Sequence, residues 1–214
     1  PRLQARMSSF RTAAGMMKLA PRVLDVSGET RLTLEQYGLA SGDRRSVAWQ
    51  MLAARRLVEH GVRVVEVVHT GSGANWDSHG DMQQHRARAG ELDRPLAALI
   101  GDLKIRGLLD TTLVAICTEF GRSPAGTENE KGRNHHNSAF TCLLAGGGVR
   151  AGAIHGQSDQ YGNLVASDEV HVHDLHATIL HLMGLDHERL TYRFGGRDFR
   201  LTDVHGRVVS EIIS

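Results

Sequence analysis

The sequence predicts an α/β fold in which a mostly parallel sheet is flanked by helices. Two units of helix followed by strand stand in succession, over 43–68 and 92–118, and this alternation is the pattern of parallel strands joined by helical crossovers. Each strand-like run empties into a polar loop, carrying Asp77 and His79 after the first and Glu119 after the second. Ligands of open α/β sheets bind at such carboxyl ends of strands. A content of 41% hydrophobic and 23% charged residues over 214 positions suits one sizeable core.

Taken in order, residues 1–40 read as a helical lead-in segment of short helices broken at Pro21, Gly28 and Gly38, and 41–214 as the remainder of a single domain. Val47, Met51, Ala54 and Val58 follow the i, i+4, i+7, i+11 spacing of one helix face, and Gly61 stops that helix. The β-branched run Val62 to Val68 reads as a strand. Leu92, Leu96, Leu99 and Leu103 form a second helix face ended by Gly107, and Thr112 to Thr118 reads as a buried strand. A polar segment then leads to the run Phe140 to Ala145, and Gly146-Gly147-Gly148 reads as a strand-end turn. Beyond it, Ala151 to Gly162 is irregular or short β structure, and a helix follows from about Asp174 to Met183. Tyr192-Arg193-Phe194 and Asp198-Phe199-Arg200, joined through Gly195-Gly196, read as a hairpin.

Composition narrows the function classes. The formal net charge is +1 and the basic residues are dispersed apart from Arg2, Arg6 and Arg11, so no electrostatic footprint for nucleic acid is present. No apolar stretch approaches the roughly 20 residues of a membrane span. Cys117 and Cys142 lie inside apolar runs and read as buried structural thiols, with a disulfide open if their strands are neighbours. The chain starts at Pro1 without an export signal, so the expectation is a processed chain or a fragment.

The candidate chemistry lies in three polar clusters. Asp77 and His79 stand two apart, so in extended backbone both project to one side and can share an ion. Glu119 follows an apolar run, where a buried carboxylate requires a partner, either a metal or Arg122 three residues on. His135 and His136 are adjacent and point opposite ways in extended chain, so at most one joins the same site. Two carboxylates and two imidazoles suit Zn²⁺ or Mn²⁺ ahead of Ca²⁺. In the segment 171–176, Val172, Leu175, Ile179 and Met183 mark a helix core stripe, with Asp174 as N-cap, His181 solvated and the role of His176 open. No H-E-x-x-H, P-loop or G-x-S-x-G pattern occurs.

Five ordered motifs together carry a family resemblance: Asn75-Trp76-Asp77-Ser78-His79-Gly80, Glu119-Phe120-Gly121-Arg122, Gly132-Arg133-Asn134-His135, Ala145-Gly146-Gly147-Gly148-Val149 and His173-Asp174-Leu175-His176-Ala177-Thr178. From about Glu35 to its end the chain resembles the uncharacterised sulfatase-like family called domain of unknown function 1501, placed in the alkaline-phosphatase superfamily. The resemblance implies the carboxy-terminal part of a sulfatase-like α/β domain, incomplete at its amino-terminal side, in a periplasmic or secreted protein. It implies metal-assisted hydrolysis of phosphate or sulfate esters, small-molecule or glycan, with the nucleophile outside this chain. By motif order Asp77, His79, Glu119 and His135 are the expected metal ligands, and Arg122 and Arg133 the groups that neutralise the substrate anion. The Asp-x-His spacing at 77 and 79, Glu119 in place of an Asp-His pair, and Asn134 in place of Asp depart from the superfamily pattern. They leave room for a non-catalytic module that binds anionic glycans. A metal-free carbohydrate-active enzyme using Glu119 and Asp77 is a third expectation.

Overall fold

The computed structural model describes residues 2–69, 76–127 and 131–214. The glycine- and serine-rich stretch before Trp76, Asn75 included, lies outside the described residues, as does Glu128. The chain forms two compact units, Pro1–Trp76 with Gln83–Arg106, and Asp77–Met82 with Gly107–Ser214.

The first unit is helical, with α1 (Arg2–Leu24), α2 (Arg31–Tyr37), α3 (Val47–Glu59) and α4 (Gln84–Ile105). Helix α3 begins where the Ser46 hydroxyl accepts a hydrogen bond from the Trp49 N–H at 3.2 Å, the usual remedy for unpaired donors at a helix start. Its Val47, Met51 and Ala54 are buried, with Leu52 and Ala53 beside them, so the apolar spacing does mark the inner face. In α4, Leu99 and Leu103 join the same core. Against expectation, α1 continues through Pro21. Proline frees the carbonyl four residues earlier, that of Met17, and because Met17 is 78% exposed water can satisfy it.

A charged cluster lies within this core. The Arg55 side chain, 2% exposed, pairs with Glu29 at 2.7 Å, Glu59 at 2.6 Å and Asp102 at 3.0 Å. Tyr37 donates its hydroxyl to Asp102 at 3.1 Å. Burial pushes the Tyr37 hydroxyl up, and the Asp102 charge adds to that.

The second unit overturns the expected parallel sheet. Its strands β1 (Leu113–Ile116), β2 (Gly121–Gly126), β3 (Arg133–His136), β4 (Leu143–Gly146), β5 (Gln157–Ser158), β6 (Val165–Ser167), β7 (Thr191–Phe194) and β8 (Arg197–Arg200) form four separate two-stranded antiparallel pairs, β1 with β4, β2 with β3, β5 with β6 and β7 with β8. Instead of crossing over through a helix after β1, the chain turns back through the β2–β3 hairpin and returns beside it as β4. The run Val62 to Val68 joins no strand among the described residues, and Val64 and Val68 are 71% and 56% exposed. A β-branched run suits a pleated surface but does not supply the neighbour that completes it.

Helix α5 (Val172–Leu182) starts two residues earlier than Asp174. His171 is its N-cap, and Asp174 instead closes a capping box, its carboxylate accepting the His171 N–H at 3.1 Å. The buried side of α5 consists of Ala177, Thr178 and Leu180, whereas Val172 and Met183 are exposed. The expected stripe is thus rotated toward Ala177, Thr178 and Leu180, and Thr178 meets the segment around Val209. The Val209 N–H donates to the Thr178 hydroxyl at 2.9 Å in the buried interior. The β7–β8 hairpin matches its expectation: Phe194 pairs with Arg197, and Gly195 and Gly196 carry φ of 55° and 82°, which a type I′ turn requires.

Candidate metal centre

Loop 77–82 and the β2–β3 hairpin, all within the second unit, build the candidate site. In the antiparallel register Arg122 stands directly opposite His135, and Gly121 opposite His136. Opposed residues share a face and successive residues alternate. Arg122 and His135 therefore reach one side together, where both meet Asp77. The His135 Nε2 lies 2.6 Å from Asp77 Oδ1, and Arg122 Nη2 donates to the same oxygen at 3.1 Å. His136 faces away, with its Nε2 2.9 Å from the Asn163 carbonyl.

The loop brings the third group. His79 Nδ1 lies 3.7 Å from Asp77 Oδ1, and its ring centroid stands 4.7 Å from that of His135. Ser78 between them is buried and donates its hydroxyl to the Asp81 carbonyl at 3.2 Å. This inward residue leaves its two neighbours projecting outward on one side. The loop is tied to the hairpin by the Met82 N–H, which donates to the Lys131 carbonyl at 3.0 Å.

Two further residues shape the site, although neither offers a ligand. Gly132 is buried against the His79 backbone, so that an added Cβ would run into the His79 carbonyl. The Phe120 ring stacks on His135 at 4.0 Å between centroids, 25° from parallel. Both stand inside the sequence motifs, yet their signal is steric and emerges only when the loop and hairpin meet.

One ligand atom from each of Asp77, His79 and His135 lies within 4.8 Å of the others, and all three residues are exposed. A tetrahedral ion about 2.0–2.1 Å from each donor holds its ligands roughly 3.3 Å apart. The Asp77–His79 pair already approximates this separation. The Asp77–His135 pair is a hydrogen bond that must open by roughly 0.7 Å to admit an ion, a small movement for exposed side chains. The His135 hydrogen bond is the main cause that holds the Asp77 carboxyl below the usual range, with Arg122 and His79 adding to it. That favours the ionised form a metal needs.

Of the other residues singled out in the sequence, neither Glu119 nor His176 belongs to the triad. Glu119 is exposed and outside the triad, so the burial that would demand a partner does not exist. Arg133 donates from Nη1 to the Gly132 carbonyl at 2.8 Å, which ties it to the hairpin backbone. The His176 Nδ1 lies 2.8 Å from the Val172 carbonyl on the exposed side of α5. A cleft of about 540 Å³ in the first unit is lined by residues including Tyr37, Arg45, His69, Glu91 and Arg94 and includes none of the triad.

A family model described as a protein of unknown function, DUF1501, matches residues 1–213. That match carries no link to sulfatases or to the alkaline-phosphatase superfamily. No curated protein and no solved structure matches the chain.

Proposed function

The chain belongs to the DUF1501 family, and from that premise we propose that its second unit holds a divalent metal on Asp77, His79 and His135 for hydrolysis of an anionic ester, phosphate or sulfate. The observation that carries this reading is the convergence of one carboxylate and two imidazoles within 4.8 Å at an exposed position. Three protein ligands leave a coordination position open for water or substrate, the pattern of catalytic rather than structural zinc. One carboxylate with two imidazoles favours Zn²⁺ or Mn²⁺ over Ca²⁺, which takes six to eight oxygens. When bound, the ion would polarise the ester oxygen as a Lewis acid. Arg122, with a side chain 17% exposed and its guanidinium 3.1 Å from Asp77, supplies a second cation that matches the fork of a phosphate or sulfate.

The same Arg122–Asp77 ion pair supports a second reading, a non-catalytic module that binds anionic glycans. There Arg122 leaves Asp77 for the ligand and no bond is broken.

Elemental analysis after dialysis against metal-free buffer tests the metal, with Asp77→Ala and His135→Ala beside the native chain. Near-stoichiometric Zn or Mn in the native chain, lost from both variants, is the expected result. Hydrolysis of a panel of phosphate and sulfate esters by the loaded protein then separates the two functions. Metal content unchanged in both variants would remove the centre from these residues.

A further inference from the structure

The second unit contains two thiols that the metal centre does not use. Strands β1 and β4 run in antiparallel register from Leu113 opposite Gly146 to Ile116 opposite Leu143. Cys117 and Cys142 are the next residues beyond this ladder, and extending its register by one step sets them opposite each other. Opposed residues of an antiparallel pair stand about 4.5 or 5.5 Å apart at Cα, and both values fall inside the roughly 4.4–6.8 Å range that disulfides span. The side chains are near enough to influence one another: burial first, then the neighbouring Cys142 thiol, push the Cys117 thiol up to about 11. Cys117 is exposed and Cys142 half-buried, so a dissolved oxidant can approach one sulfur while the other waits beside it. The expected burial is thereby corrected at Cys117, while the pairing of β1 with β4 meets the condition on which a disulfide was left open.

We propose that Cys117 and Cys142 form a redox pair that closes into an intrachain disulfide across the ends of β1 and β4. The oxidant is a small-molecule disulfide of the glutathione class. The exposed Cys117, through the small thiolate fraction that its raised pKa leaves and that alkaline pH enlarges, attacks one of its sulfurs; the S–S bond of the oxidant breaks, and the departing thiolate takes up the proton that Cys117 lost. Cys142, giving up its proton in turn, displaces the second small thiol from the mixed disulfide. Two protein thiols are oxidised by two electrons in all, and one disulfide is reduced to two thiols.

The position gives the bond a structural consequence. Segments 117–120 and 137–142 join the outer β1–β4 pair to the inner β2–β3 pair, which carries Arg122 and His135. A closed disulfide staples that junction and fixes the base of the hairpin.

The full chain, reduced and then treated with glutathione disulfide at mildly alkaline pH, is alkylated and mapped as peptides without reduction. The expected product is a peptide containing Cys117 linked to one containing Cys142, in a chain that has lost two hydrogen masses and both titratable thiols and migrates as a monomer without reductant. Cys142→Ser is expected to stop at a single glutathione adduct on Cys117. Two thiols that still titrate in the native chain would overturn the pair, as would stable glutathione on both cysteines or dimers linked through Cys117. The native chain alone decides the matter should the variant fail to fold.

Discussion

Asp77 collects a hydrogen bond from Arg122 and a contact with His135 on a single oxygen, Oδ1, and so acts as the hub of the site. If Arg122 serves the substrate and not the ion, Arg122→Gln should retain metal while ester hydrolysis falls at least tenfold, since a charge-assisted bidentate contact is lost; metal content and rate on one preparation check this. Gly132 has a different role, close approach. Gly132→Ala should weaken metal retention by displacing His79, whose carbonyl occupies the space the new methyl needs, and equilibrium dialysis of Zn against the native chain reads that loss. Part of this was legible in the sequence. The two-residue spacing of Asp77 and His79 gives one projecting side, and strand alternation admits only one of His135 and His136, because both rules follow from the period of extended backbone. The burial expected of Glu119 is corrected for an equally physical reason: the run before it is apolar, but Ala115 and Cys117 of that run are exposed, and so is Glu119.

Elements whose ends are set by local chemistry followed their sequence signals. Helix α3 stops just before Gly61, whose φ is 80°, Gly195 and Gly196 close the β7–β8 turn, and each rests on contacts within a few residues. Helix α5 shows where local reasoning stops. A helix projection gives the sides of a cylinder but not which side a partner covers, and the partner here is the segment around Val209, far along the chain. Thr178 is the joint between them, accepting from the Val209 N–H and donating to the Asp174 carbonyl at 2.7 Å. Thr178→Val keeps the shape and removes the acceptor, leaving a buried N–H unpaired, a loss of about 1–3 kcal/mol. Urea denaturation should show it as a lower midpoint with unchanged slope.

For the molecule as a whole, each unit depends on contacts distant in sequence. In the first unit Arg55 ties the segment before α2 to α3 and α4 through Glu29, Glu59 and Asp102. Arg55→Ala strands buried carboxylates and should cost about 3–5 kcal/mol, measured by the same urea titration. Burial pushes the Glu29 carboxyl up, but its hydrogen bonds to Arg55 and Arg56 outweigh burial and leave it below the usual range. The unfolded chain therefore takes up a proton at Glu29 first as acid is added. The stabilisation from this carboxylate is complete above the ordinary glutamate range, near pH 4.3, and is lost as pH falls from there through the lower folded value. Glu29→Gln should flatten that acid limb of the stability curve while lowering stability at pH 7. By itself the sequence determined the helices α3 and α4, the final hairpin and the group types gathered at Asp77, because periodicity, turn chemistry and ligand character are properties of short stretches. Only the tertiary structure decided that β1 turns back to β4 in place of crossing to a parallel neighbour, that Val62 to Val68 joins no strand among the described residues, and that Gly132 admits the loop carrying His79. Strand partners and close approaches are choices among remote segments, and their free energies lie in packing and backbone hydrogen bonds that no single stretch contains.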